Sequence, residues 1–217
     1  MEMHEIKRLI FGGENEYVEF KRKINHPEKV IREVIAFANA GGGHLFVGVD
    51  DDCSIVGCKH SGEEDYILQK AIRELCRPQI EFDFEEFPLT EKRSLLHYYI
   101  HPGERKPYYA FEKKSHRYGK AFVRVKDRSI QASPEIRKIL KFNNAPQDVH
   151  FQYGTNEKLL FNYLNDNEHV TVQEFRELSG LDYKAASSTM VQMVLANTLK
   201  IIPREKEDWF IAVDNFS

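Results

Sequence analysis

The sequence predicts an α/β (α+β) protein: a mixed-sheet domain over the first two-thirds, then a small helical domain closed by a β-hairpin. Three observations carry this. Apolar runs of strand length near residues 17–21, 45–49, 80–87 and 94–100 interleave with segments of helical period. A polar stretch containing Pro146 and Gly154 then interrupts the pattern. Beyond it, three amphipathic segments precede two short apolar strands.

Residues 17–21, Tyr-Val-Glu-Phe-Lys, alternate in the two-residue period of a strand and so place Glu19 and Lys21 on one face. Pro27 opens a helix whose apolar positions Val30, Val34, Ile35, Phe37 and Ala38 recur at helical spacing. Proline suits a first turn, where its missing N–H would lack a partner anyway. Gly41, Gly42 and Gly43 stop that helix, because glycine takes a positive φ without steric penalty. Residues 45–49, Leu-Phe-Val-Gly-Val, are a continuous apolar run of the kind buried on both faces. Asp50, Asp51 and Asp52 then turn the chain, and residues 54–57 return as a hairpin.

A helix over 63–76 directs Ile67, Ala71, Ile72 and Leu75 inward and ends before Pro78. Strands near 80–87 and 94–100 follow, and strands 108–111 and 121–125 flank a basic loop. Ser133 and Pro134 are a helix cap and first-turn proline, starting a helix that ends near 142. Helices over 157–164, 172–179 and 183–197, with Gly180 and Asp182 between the last two, lead to strands 199–202 and 209–213. That is the order of a winged helix-turn-helix. The expected domains are 1–142, a linker at 143–155, and 156–217.

Apolar residues at 41% and charged residues at 30% exclude a disordered or fibrous chain. No run of 18 apolar residues exists, and residues 1–8 lack the apolar centre of a secretory leader. The expectation is a cytoplasmic protein with no membrane partner. Cys53, Cys58 and Cys76 are an odd set, and Cys53, Cys58 and His60 lack a fourth zinc ligand, so reduced thiols are expected.

Glu14-x4-Glu19-Phe20-Lys21, the run from Ala36 through Asn39 to Gly42, and residues 45–51 together resemble the Schlafen AlbA_2 domain. Looser similarity extends through residues 121–125 and Ser133-Pro134-Glu135-Ile136, covering about residues 10–142. The resemblance implies a nucleic-acid-associated fold of the kind found in bacterial transcriptional regulators. It also implies an alternative, a metal-dependent endoribonuclease with Glu14, Glu19 and Asp50 as metal-binding and catalytic carboxylates. Mg²⁺ or Mn²⁺ would be the cofactor, since hard ions take oxygen ligands. Lys21 would neutralise phosphate charge beside Glu19. An ATP-binding loop is not expected: no Gly-x4-Gly-Lys-Ser/Thr occurs, and Gly41–Gly43 precede a strand where a phosphate loop follows one.

The net charge of −3 hides an asymmetry. Residues 101–141 carry twelve lysines and arginines against four acids, about +8, and the rest of the chain is about −11. Lys113, Lys114, Arg117, Lys120, Arg124 and Lys126 are the expected phosphate contacts, with Tyr108, Tyr109, Phe111 and Tyr118 interleaved for stacking on DNA or RNA. The region 156–217 has six basic and ten acidic residues, a thin electrostatic basis for DNA reading. There Ser187, Ser188, Thr189 and Gln192 are the candidates for base edges. Much of the wide apolar surface of Met190, Val191, Met193, Val194 and Leu195 is expected to be core, and the remainder offers a homo-oligomer or assembly interface through this domain as the other use.

Overall fold

Ile6, Leu9 and Ile10 recur at the three- and four-residue spacing of a helix, and they form one: α1, Met3–Phe11, lays Ile6 and Ile10 fully buried against the sheet. The structure, a computed structural model, describes residues 1–144 and 154–213. After α1 come β1 (Val18–Lys21), α2 (Pro27–Asn39), β2 (Gly43–Val47), α3 (Ser61–Leu75), β3 (Cys76–Arg77), β4 (Phe82–Thr90) and β5 (Arg93–Ile100). Next are β6 (Tyr109–Ala110), β7 (Phe122–Val125), β8 (Arg128–Gln131) and α4 (Pro134–Asn144). The remainder is α5 (Thr155–Asp166), α6 (Val172–Ser179), α7 (Tyr183–Leu195), β9 (Leu199–Ile202) and β10 (Trp209–Ala212). The result is a mixed α+β architecture in two compact units, Met1–Gln131 and Ala132–Ser217.

In the first unit the sheet order is β1-β2-β5-β4, with β1 and β2 parallel and the remaining neighbours antiparallel. One face presents Leu45, Val47, Leu96, Tyr98 and Ile100 to the apolar sides of α2 and α3. The opposite face buries Val18, Phe20, Phe46 and Leu95 under α1. Further along that face lie His44 and His97, with Nδ1 of the first 2.8 Å from Nε2 of the second. Burial holds His97 neutral and lowers it to about 4, with His44 beside it acting in the same direction.

The strand alternation that buries Val18 and Phe20 under α1 directs Glu19 and Lys21 the other way, towards α2. The β7–β8 hairpin packs on α2 at the same place. Gly42, at φ +84, makes the exit from α2; a Cβ there would stand 2.7 Å from the Ile100 carbonyl oxygen.

Three expectations change. Leu68, not Ile67, completes the buried side of α3 with Ala71 and Ile72, and Ile67 is 38% exposed. The return hairpin after Asp50 reduces to a single bridge between Val49 and Ile55. Helix α4, placed by sequence in the domain 1–142, falls in the second unit, where Glu135 Oε1 accepts from Ser187 of α7 at 2.5 Å and Lys138 donates to the same hydroxyl at 3.1 Å. Most of the expected linker, 145–153, lies outside the described residues.

In the second unit α5, α6 and α7 surround Leu160, Phe175, Ala186, Met190 and Met193, all fully buried. Thr171 and Glu174 form a reciprocal cap on α6, Gly180 ends it at φ 71, and Asp182 caps α7 by accepting from Ala185 N–H. The β9–β10 hairpin joins this core through Phe210, whose main chain also pairs with Val170. Met190 and Met193 are core residues, the part expected of most of that apolar surface.

Candidate functional site

The basic segment and the carboxylate motif are held by one helix, α2, through different residues. At its C-terminal end Asn39, 3% exposed, donates from Nδ2 to the carbonyls of Tyr108 and Phe122 at 3.0 and 2.9 Å. Its Oδ1 accepts from Tyr108 N–H at 2.7 Å. Tyr108 precedes the basic loop and Phe122 follows it. Above this clamp Ala110 and Lys120 exchange two main-chain hydrogen bonds of 2.8 Å, closing the neck of the loop 111–119.

Phe111 is buried beneath Arg77, whose guanidinium lies 4.4 Å over its ring and donates to the Lys114 carbonyl at 2.8 Å. Lys113, Lys114 and Arg117 are exposed beyond that base. Tyr118 is 78% exposed, with the Arg117 guanidinium 5.4 Å from its ring. Tyr108, Tyr109 and Phe111, the other aromatics of this segment, are buried or half-buried. Lys120 is also exposed but faces Glu112 at 3.3 Å. Lys126 lies apart, on the β7–β8 turn, in a shallow pocket shared with Glu14, Asn15, Glu16 and Asp127.

Arg124 corrects the expected set of phosphate contacts. Its side chain is 1% exposed, so it cannot reach a phosphate without leaving the protein interior. It donates from Nη1 to Glu19 Oε2 at 3.0 Å and to Glu33 Oε2 at 2.7 Å. Nη2 donates to the Asn15 carbonyl at 2.7 Å, and the guanidinium stands 4.8 Å over the Phe37 ring. Ser129 donates to Glu33 and accepts from Arg124. Glu33, on α2, is a member of this site that sequence reasoning missed; an acid on the outer turns of an amphipathic helix carries no signal of its own.

The motif residues are dispersed among cations and amides. Glu19 Oε1 is paired with Lys21, the neighbour two positions along the strand. Glu14 Oε1 accepts the Phe20 main-chain N–H at 2.7 Å, and Asp50 pairs with Arg22 at 3.3 Å. Burial raises the Glu14 carboxyl above its ordinary range, against the Phe20 hydrogen bond, with Glu19 adding to the rise. Glu33 is likewise raised by burial, with Glu19 adding and Ser129 and Arg124 opposing. Among the described residues no group of three or more His, Cys, Asp or Glu side chains is placed to hold a metal ion. Glu14, Glu19 and Asp50 therefore do not fit a shared divalent cation as they stand, because each is already satisfied by a different partner.

On α7 the candidates for base edges divide. Ser187 is buried against Glu135 of α4 and so is not a reader. Ser188 and Gln192 are exposed, with Lys184 nearby as the single cation of the helix. Cys53, Cys58 and Cys76 are free thiols, the last two raised by burial, Cys58 to about 11. No helix of the described residues is long and apolar enough to cross a membrane.

Comparison of the sequence with curated proteins gives no match. Among solved structures, the DIP2311 protein from Corynebacterium diphtheriae aligns over 91% of this chain at 15% identity and a TM-score of 0.43. The chain spans about a third of that protein's length, 34%, and a likeness this slight carries no argument. The family comparison is decisive. The family described as Schlafen, AlbA_2 matches residues 14–133, which hold β1, α2, the four-stranded sheet, the basic loop and the Glu19–Arg124 cluster. The chain belongs to the Schlafen AlbA_2 family.

Proposed function

We propose that this protein binds nucleic acid through the loop 111–119, as a transcriptional regulator of the bacterial type. The observation that carries the reading is the grouping of exposed Lys113, Lys114 and Arg117 beside Tyr118, which is 78% exposed. Cations neutralise phosphates and release condensed counterions, and an exposed aromatic ring offers a face for an unstacked base. The family matched by residues 14–133 supports a nucleic-acid partner. An anchored neck lets the loop present these groups without disturbing the sheet beneath.

Within the second unit, α5 to α7 and the β9–β10 hairpin are read as a winged helix, supported by that order of three helices and a hairpin, with α4 added before them. Its contribution to base reading is confined to exposed Ser188 and Gln192 and half-buried Thr189, with little cationic anchoring around them. The first unit supplies most of the affinity. Metal-dependent cleavage receives no support from the carboxylates, since Glu19 is matched by Lys21 and Arg124.

The test is fluorescence anisotropy with labelled single-stranded DNA, single-stranded RNA and duplex DNA over a range of salt. Replacing Lys113, Lys114 and Arg117 together by Ala is expected to weaken binding at least tenfold. The slope of log K against log salt should fall by roughly 2, at about 0.7 per phosphate contact on a single strand. Unchanged affinity and slope in the triple variant would move the contact surface elsewhere.

A further inference from the structure

Glu19, the motif carboxylate on β1, and Glu33 of α2 beside it are charge-balanced from within. Around Glu19 and Glu33, two acids, stand Lys21 and Arg124, two cations. A divalent ion entering this group would meet no net negative charge and would have a guanidinium at contact distance. We propose that Arg124 is the resident cation of the site: it occupies the position between Glu19 and Glu33 where a hard divalent ion would otherwise be held, and the native chain binds none there.

Four features support this. The Arg124 side chain is 1% exposed, so it is a fixed part of the interior and not a surface partner that comes and goes. A single nitrogen, Nη1, contacts Glu19 Oε2, Glu33 Oε2 and Ser129 Oγ, an oxygen shell of the kind a small hard cation collects. The Nε of Arg124 has no hydrogen-bond partner although buried, so the side chain is positioned by its terminal nitrogens and by the Phe37 ring, not by satisfaction of the whole fork. Glu33 lies across from Glu19 on another element, α2, which gives the cluster two walls.

The inference assigns a latent site, Glu19 with Glu33, that differs from the motif set Glu14, Glu19 and Asp50. Removing Arg124 leaves two carboxylates facing each other across a cationic vacancy, and a divalent ion becomes the natural replacement. The loop 111–119 plays no part in it, so it stands or falls independently of the nucleic-acid reading.

The experiment uses the full chain and Mn²⁺, followed by the electron paramagnetic resonance of the free ion and by thermal unfolding. Wild type and Glu19→Gln are expected to leave the Mn²⁺ signal equally unchanged at millimolar ion. Arg124→Met is expected to capture Mn²⁺ about tenfold or more tightly than wild type and to unfold at a higher temperature when the ion is present. Adding Glu33→Gln to Arg124→Met should abolish both effects. Capture by wild type that Glu19→Gln removes would overturn the proposal, and this arm holds whether or not Arg124→Met folds. A folded Arg124→Met with no gain in Mn²⁺ affinity would overturn it too. So would a gain that survives Glu33→Gln, because the ion would then lie elsewhere.

Discussion

Asn39 makes three buried hydrogen bonds to main chain that lies 69 and 83 residues away, at Tyr108 and Phe122. Its replacement by Ala would leave one N–H and two carbonyls unpaired in the interior. The expected loss is about 3 kcal/mol, given roughly 1–3 kcal/mol for each unsatisfied buried group. Urea unfolding would measure it, and nucleic-acid affinity should fall with it, because the same bonds hold the neck of the basic loop. A second residue-scale prediction concerns His97. Its folded pKa of about 4 lies below the ordinary value of 6.5, so the unfolded chain takes up a proton first as pH falls. Stability is therefore expected to drop between about pH 6.5 and 4, by on the order of 2–3 kcal/mol, and His97→Gln should flatten that part of the curve. Neither role is legible in the sequence. Asn39 lies inside the run that carries the family resemblance, but an amide side chain does not announce distant partners, and the depression of His97 depends on which sheet face α1 leaves to His44.

Elements were legible where a local signal is strong. Pro27 and the glycines after residue 40 bracket α2, and Gly180 and Asp182 set the end of α6 and the start of α7, because caps act within a turn of the chain. Short elements such as β3 and β8 were not foreseen, since two to four residues carry too little pattern. The grouping of α4 with the second unit rests on contacts distant in sequence. Sequence continuity joins it to β8, whereas Glu135 and Lys138 join it to Ser187 on α7. This has a measurable outcome. A fragment beginning at Ala132 should unfold at a clearly higher temperature than one beginning at Thr155, because the shorter piece loses Glu135, the buried partner of Ser187. Equal melting temperatures would show that α4 adds nothing to that unit.

At the scale of the molecule, the charge count singles out a segment whose cations the fold then divides. The +8 segment contains the exposed Lys113, Lys114 and Arg117, but also Arg124, whose charge is matched internally by Glu19 and Glu33. Summed charge cannot separate a solvated cation from a buried one, because that depends on which acids the fold brings within reach. The family fold, in contrast, was readable from a few dozen residues, since its glycines and alternating strands are local consequences of backbone geometry.

The closed neck at Ala110 and Lys120 separates the length of the basic loop from the integrity of the domain. Doubling a closed loop costs only about 0.6 kcal/mol of chain entropy, so insertions at its exposed tip, Lys113 to Arg117, are nearly neutral for folding, whereas Phe111 beneath Arg77 belongs to the fixed base. The loop is then a replaceable cassette. Under the proposed nucleic-acid role, a loop transplanted at these two positions from another family member should carry its binding preference with it, which an anisotropy titration of the chimera would measure.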